Sequence, residues 1–153
     1  MKIYFASDHA GFSLKNELVS YLRDEKKLEV IDCGADVYDD KDDYTNIIPR
    51  AVKFVSEDVS NGTFDTKAII LGGSGEGEAM IANRFKGVRA TVYYGGEKKI
   101  LELSREHNDA NVLSLGARFL AVDEAKEALD IWLTHPFSGE ERHVRRNRAI
   151  DTI

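Results

Sequence analysis

The chain has one cysteine, Cys33, so it forms no intrachain disulfide and builds no cysteine-based zinc site. It has no apolar run near the length that crosses a membrane. No leader-like stretch precedes the first apolar segment, so the cytoplasm is the expected address and lipid is not an expected partner. Positive charge is scarce: 21 Lys and Arg face 27 Asp and Glu, a net charge of -6. Nucleic acid is therefore not expected either, because phosphate backbones need a basic surface. No internal repeat, low-complexity tract or linker interrupts the sequence. One domain, residues 1–153, is expected around one core. The only two prolines are Pro49 and Pro136. The first is tolerable in the opening turn of a helix, and the second ends one.

What is present alternates. Short apolar runs fall at Ile3–Ala6, Leu28–Ile31, Ala68–Leu71, Ala90–Tyr93 and Val112–Leu115. Helical spacing follows each of them. It runs from Phe12 to Leu22, from Ile47 to Val59, from the glycine turn to about Phe85, from Glu97 to Glu106, and from Val122 to Leu133. Asn61-Gly62 is a helix stop, and a last helix is expected over about 139–151. No hairpin signal appears. Strand and helix alternating five times predict an α/β fold: a Rossmann-like, doubly wound, five-stranded parallel sheet in a three-layer α/β/α sandwich. The loops after the strands then share the carboxyl edge, where such sheets bind ligands.

The densest signal lies there. Ala68-Ile69-Ile70-Leu71 runs into four glycines within six residues, Gly72-Gly73-Ser74-Gly75-Glu76-Gly77, and then Glu78. Strand, glycine turn and helix together present bare N–H groups to an anion. No Lys-Ser or Lys-Thr follows, so this is not a Walker loop. It also fits a dinucleotide fingerprint poorly, because that belongs after the first strand. Glu78 is a candidate base, and the helix dipole is expected to keep it ionised at neutral pH. Glu76 lies two residues away, about 200° around a helix at ~100° per residue, so the two point apart.

Asp8-His9 follow the first strand. Asp8 suits an N-cap and His9 can pass protons near neutral pH. His107-Asn108 end a helix, where dipole complement and capping are the plain roles. Arg142 and Arg146 are four apart on one helix face, a fork for a phosphate dianion, and Arg118 adds a third positive charge.

Taken together these residues resemble the type B ribose-5-phosphate isomerase family, which includes the galactose-6-phosphate and allose-6-phosphate isomerases. The resemblance is carried by Ser7-Asp8-His9-Ala10-Gly11, by Gly72 to Glu78 with Ala82-Asn83, by Ser104 to Val112, by Leu115-Gly116-Ala117-Arg118, and by Arg142-His143 with Arg146. It implies an aldose–ketose isomerase that uses neither metal nor organic cofactor. It implies ring opening by His107, with Asp8 at the ring oxygen. Glu78 would then move a proton between C2 and C1 through a cis-enediolate. Ser74 and the amides of Gly73, Gly75 and Gly77 would hold the oxyanion. His9, Arg118, Arg142 and Arg146 would meet the phosphate, and Tyr44 and Asn108 would line the pocket. The family dimerises, and sometimes forms tetramers, with sites shared between subunits. The C-terminal helix is then expected against the dimer partner.

One subgroup of that family uses a cysteine base at the end of the third strand. This chain has Gly72 there and resembles the subgroup whose base is the glutamate after the glycine turn. It departs from the family at Asp43-Tyr44-Thr45, where proline usually follows the tyrosine, and in the acidic stretch Asp39–Asp43. A six-carbon sugar phosphate is the alternative substrate. A non-catalytic sugar-phosphate-binding module is the alternative of another class. The presence of Glu78, Asp8 and His107 together weighs against the module, because binding alone needs no base.

Overall fold

The computed structural model describes all 153 residues. The strands are β1 (Lys2–Ser7), β2 (Glu29–Asp32), β3 (Thr66–Gly72), β4 (Ala90–Tyr93) and β5 (Val112–Gly116). The helices are α1 (Phe12–Ser20), α2 (Tyr44–Ser60), α3 (Glu76–Ala82), α4 (Lys99–Glu106), α5 (Val122–Thr134) and α6 (Glu141–Ile150). All strands are parallel, in the order β2-β1-β3-β5-β4. This is the α/β sheet the alternation predicts.

The period-2 alternation of the strands divides the core. Ile3, Phe5, Ile69, Leu71, Leu113 and Leu115 face one layer, with Leu18 of α1, Leu101 of α4 and Trp132 of α5. Tyr4, Ala6, Ala68, Ile70 and Val112 face the other, with Ile48, Val52 and Val55 of α2 and Ala82 of α3. Each fully buried aliphatic side chain contributes about 1.5–3 kcal/mol through area removed from water. β3 is buried at every residue, as a central strand covered on both faces must be.

From β1 the chain steps outward to β2, then returns past β1 to β3. The connections diverge between β1 and β3, and that is where a doubly wound sheet opens a crevice at its carboxyl edge. Ser7 pairs in register with Leu71, and Gly72 with Gly116. The turns after β1, β3 and β5 therefore emerge side by side.

Several boundaries differ from the sequence reading. α2 starts at Tyr44, not Ile47, so Pro49 stands in the second turn. The extra turn adds only the half-buried Tyr44 to the apolar stripe that marks the helix, since Thr45 and Asn46 are exposed. α3 stops at Ala82 rather than near Phe85, where Asn83 caps it. α4 starts at Lys99 rather than Glu97, because Gly95 and Gly96 take positive φ angles of 106° and 94°. A three-residue 3-10 turn, His9–Gly11, precedes α1, and a wider π-type turn, Tyr21–Glu25, extends it.

Candidate active site

Asp8, His9, Ala10, Tyr44, Gly73, Ser74, Gly77, Glu78, Arg118 and Phe119 line one open cleft of about 440 Å³. It lies at the carboxyl edge, over the divergence of β1 and β3. Eight of the thirteen residues singled out in the sequence meet here. Gly75 lies just beneath, in the left-handed region at φ 80°, where it opens α3. Its carbonyl accepts a 2.6 Å hydrogen bond from the Ser114 hydroxyl, which ties the turn to β5. A Cβ at Gly75 would also press on the Leu115 backbone. The backbone N–H groups of Gly73, Ser74 and Gly75 donate to nothing within the chain. They are free for an anion, as the glycine-rich turn predicts.

Glu78 occupies the floor. It is 4% exposed. Helical side chains lean toward the N-terminus, so Glu78 reaches back over the turn to the end of β3. Its carboxylate fills the space a side chain at Gly72 would need, and a Cβ there would overlap it. Gly77 is constrained in the same way: a Cβ on it would come within 2.8 Å of the Tyr44 ring.

Burial adds an influence on Glu78 that opposes the helix dipole. The Glu78 carboxyl is raised above its ordinary value, first by burial, with the Asp8 charge adding to the rise. Its own backbone N–H bonds the carboxylate and opposes this, less strongly. Desolvation outweighs the dipole of a two-turn helix. A moderately raised carboxyl is better matched to accepting a proton from carbon near neutral pH than a depressed one. Glu76 is exposed on the other side of the helix, as the spacing predicts.

Asp8 does cap its turn. Its Oδ1 accepts from the N–H groups of Ala10 at 3.0 Å and Gly11 at 3.2 Å. His9 is bound by Asp42, whose Oδ1 lies 2.7 Å from Nδ1 and 3.0 Å from the His9 backbone nitrogen. That hydrogen bond holds the His9 imidazole above its ordinary value. Asp8, His9 and Asp42 each bring a potential ligand atom within 4.8 Å of the others. Asp8 Oδ1 and Asp42 Oδ1 are both taken up by hydrogen bonds within the protein.

His107, Asn108, Arg142 and Arg146 do not reach this cleft. α4 returns from the carboxyl edge, so His107 at its end lies near the start of β5. The strand is five residues long, which separates the two edges by about 16 Å at ~3.3 Å per residue. At this amino edge the loop is clamped. Arg89 Nε donates to Asn108 O at 2.9 Å, and Arg105 Nη1 to Asp109 Oδ1 at 2.8 Å. Asn147 of α6 donates to His107 O at 3.2 Å. The His107 and His143 rings stack with centroids 4.3 Å apart and planes 7° apart. His143 is buried and its imidazole is lowered below its ordinary value, first by desolvation and then by His107. Arg142 and Arg146 stand exposed beside this stack. Arg142 bonds only Glu140, at 2.8 Å.

The sequence reading missed Asp42, one acid in an acidic run, and the stacking role of His143. Phe119, which closes one wall of the cleft, was also missed. Nothing in the local sequence sets these three apart from their neighbours.

The model of the family described as "Ribose/Galactose Isomerase" matches residues 3–150. Ribose-5-phosphate isomerase B of Escherichia coli is 40% identical over 152 residues, covering 99% of this chain and 95% of that protein. The enzyme of the same name from Mycolicibacterium paratuberculosis is 39% identical over 147 residues, covering 95% and 87%. The crystal structure of ribose-5-phosphate isomerase B from Mycoplasma genitalium, with bound ribulose-5-phosphate, superposes with a TM-score of 0.88 at 33% identity, covering 99% and 94%.

Proposed function

The chain belongs to the ribose/galactose isomerase family and is an isomerase; from that premise we propose that it interconverts ribose 5-phosphate and ribulose 5-phosphate. The observation that carries this reading is the buried Glu78 carboxylate on the floor of a cleft whose glycine-turn amides are free. Glu78 takes the proton from C2 of the open-chain aldose. The electron pair moves into the C1–C2 bond, and the aldehyde oxygen becomes the enediolate oxyanion. Ser74 and the amides of the turn bond that oxygen, where good donors are worth about 10²–10³ in turnover. Glu78 then returns the proton to C1 while the C2 hydroxyl passes its own proton to the O1 oxyanion, which leaves a C1 hydroxyl and the C2 ketone. One base serves both carbons because a cis-enediolate keeps them on one face.

The phosphate is remote from the reacting carbons. Its binding energy orients the sugar without taking part in the chemistry. His9 and Arg118 hold it from within the cleft. His107, Asn108, Arg142 and Arg146 are supplied by the amino edge of a second subunit, which completes the site in a homodimer. In that arrangement His107 opens the furanose ring, with Asp8 at the ring oxygen, and α6 meets the partner. Support for the shared site comes from the clamped His107 loop and from two exposed arginines with no substrate-sized cleft of their own. The proposed reaction belongs to the pentose phosphate pathway, and the cytoplasm is the proposed compartment.

The test is a coupled assay for ribulose 5-phosphate formed from ribose 5-phosphate, with and without chelator. Turnover that chelator leaves intact is expected. Turnover confined to hexose phosphates, or tight binding without turnover, would overturn the substrate or the catalytic reading respectively.

A further inference from the structure

The acidic stretch Asp39–Asp43 has no role in the reaction above, yet one of its residues turns inward. The Asp42 N–H donates to Asp39 O at 3.1 Å, and the Lys41 N–H to Asp39 Oδ1 at 3.0 Å. That turn aims the Asp42 side chain back at the end of β1. One oxygen, Oδ1, meets both the backbone N–H and Nδ1 of His9. The other, Oδ2, is buried with no hydrogen-bond partner. His9 is the only ion-pair partner this carboxylate has.

A carboxylate only accepts, so Nδ1 must carry a hydrogen. The backbone bond to the same oxygen stops the ring from turning away. In the neutral ring Nε2 is then a lone pair, which repels an anion. Only the imidazolium offers Nε2–H to the cleft. We propose that Asp42 is a positioning residue for His9: it fixes the ring so that binding of the substrate's phosphate is coupled to a proton on His9. This rests on the sugar-phosphate reading of the cleft.

The groups around His9 are accounted for. Asp42 and neighbouring Asp8 favour its proton, and Arg118 from the loop after β5 opposes it. Tyr38 meets the ring edge-on at 6.4 Å. Tyr44 of α2 and Glu78 of α3 share the cleft. The hydrogen bond to Asp42 is the largest influence. The raised imidazole is charged below and through the ordinary His range, and loses its charge only above it. The coupling therefore persists to higher pH than an ordinary histidine would allow and fades as the medium becomes alkaline.

The experiment uses Asp42→Asn, which keeps the acceptor and removes the charge. NMR titration of the four His side chains in the free enzyme, with His9 assigned from His9→Asn, reads the first arm. The His9 midpoint is expected above the ordinary value in the parent and close to ordinary in Asp42→Asn. The second arm is KM for ribose 5-phosphate against pH. The ratio of variant to parent is expected to reach about tenfold near pH 7.5, the scale of a charge-assisted bond. It should shrink toward about one near pH 5.5, where both rings are charged. A merely structural role would give a ratio constant with pH. An unchanged His9 midpoint or a flat ratio would overturn the proposal. The NMR arm needs no turnover, so its outcome stays separate from that of the isomerase reading.

Discussion

The two edges of the sheet solve opposite problems. At the carboxyl edge, loops after three strands converge on a cleft and bury a carboxylate, Glu78, against the backbone of Gly72. At the amino edge, a loop is pinned from below by Arg89 and Arg105, while its His107 ring and the nearby arginines look outward. The first has a pocket and a buried carboxylate but few cations. The second has cations and an ordered imidazole, and lines no pocket with Glu78. The lesson is that Glu78 and the groups proposed to open and hold the sugar are separated by the length of a strand within one chain, so the proposed reaction needs a second chain to join them.

The sharpest way to break that comparison is to disable one edge at a time. Glu78→Gln and His107→Ala are each expected to lower kcat by about 10²–10⁴, the scale of general acid–base loss. Unfolded and refolded together, the two variants should recover about a quarter of parental activity. Random pairing makes half the dimers mixed, and each mixed dimer has one whole site of two. If both groups acted within one chain, the mixture would stay as inactive as its parts.

A smaller effect tests the cations. Arg142→Ala with Arg146→Ala should raise KM for ribose 5-phosphate roughly tenfold or more, from lost bonds to a charged group. The thermal midpoint should barely move, since both side chains are exposed. An unchanged KM would return these residues to the solvent face.

The smallest effect concerns the buried carboxylate alone. A raised acid binds its proton more tightly in the folded state. The native chain therefore holds more protons than the unfolded one between the ordinary Glu value and the raised one, and stability falls as pH rises through that window. At neutral pH Glu78→Gln should melt higher than the parent by a few degrees at most, since ~1 kcal/mol moves the midpoint about 2–4 °C at this length. The gain should vanish in acid below the ordinary Glu value. In the parent, activity should fall with acid at a pH above that ordinary value. A Glu78→Gln variant less stable than the parent at neutral pH would mean that the carboxylate is comfortable where it sits.

Much of this was legible in the sequence, and the exceptions have physical causes. The five strands are short apolar runs ended by glycines or polar clusters, so each shows itself locally. α2 hides its first turn because Thr45 and Asn46 are exposed and polar and only Tyr44 packs against the core there. The cleft residues could be grouped because they all follow strand ends, and parallel topology collects such ends on one side. The same rule sends His107 to the other side, because it follows a helix. The helix dipole at Glu78 is a local property and is readable, but burial is not. It arises only when Gly72, Tyr44 and Asp8 close in from three segments. Which of five consecutive polar residues in the acidic stretch turns inward is likewise decided by tertiary structure.

The occupied space at Gly72 has a bearing on how this active site can change. A thiol in that position and an acid from the following helix would compete for one volume, so no chain can hold both in working order. Replacing Gly72 first would expel the Glu78 carboxylate, and removing Glu78 first would leave the proposed reaction without its base. Exchange between the two kinds of catalyst therefore needs paired substitutions, and sequences one step away from either solution are expected to be poor enzymes.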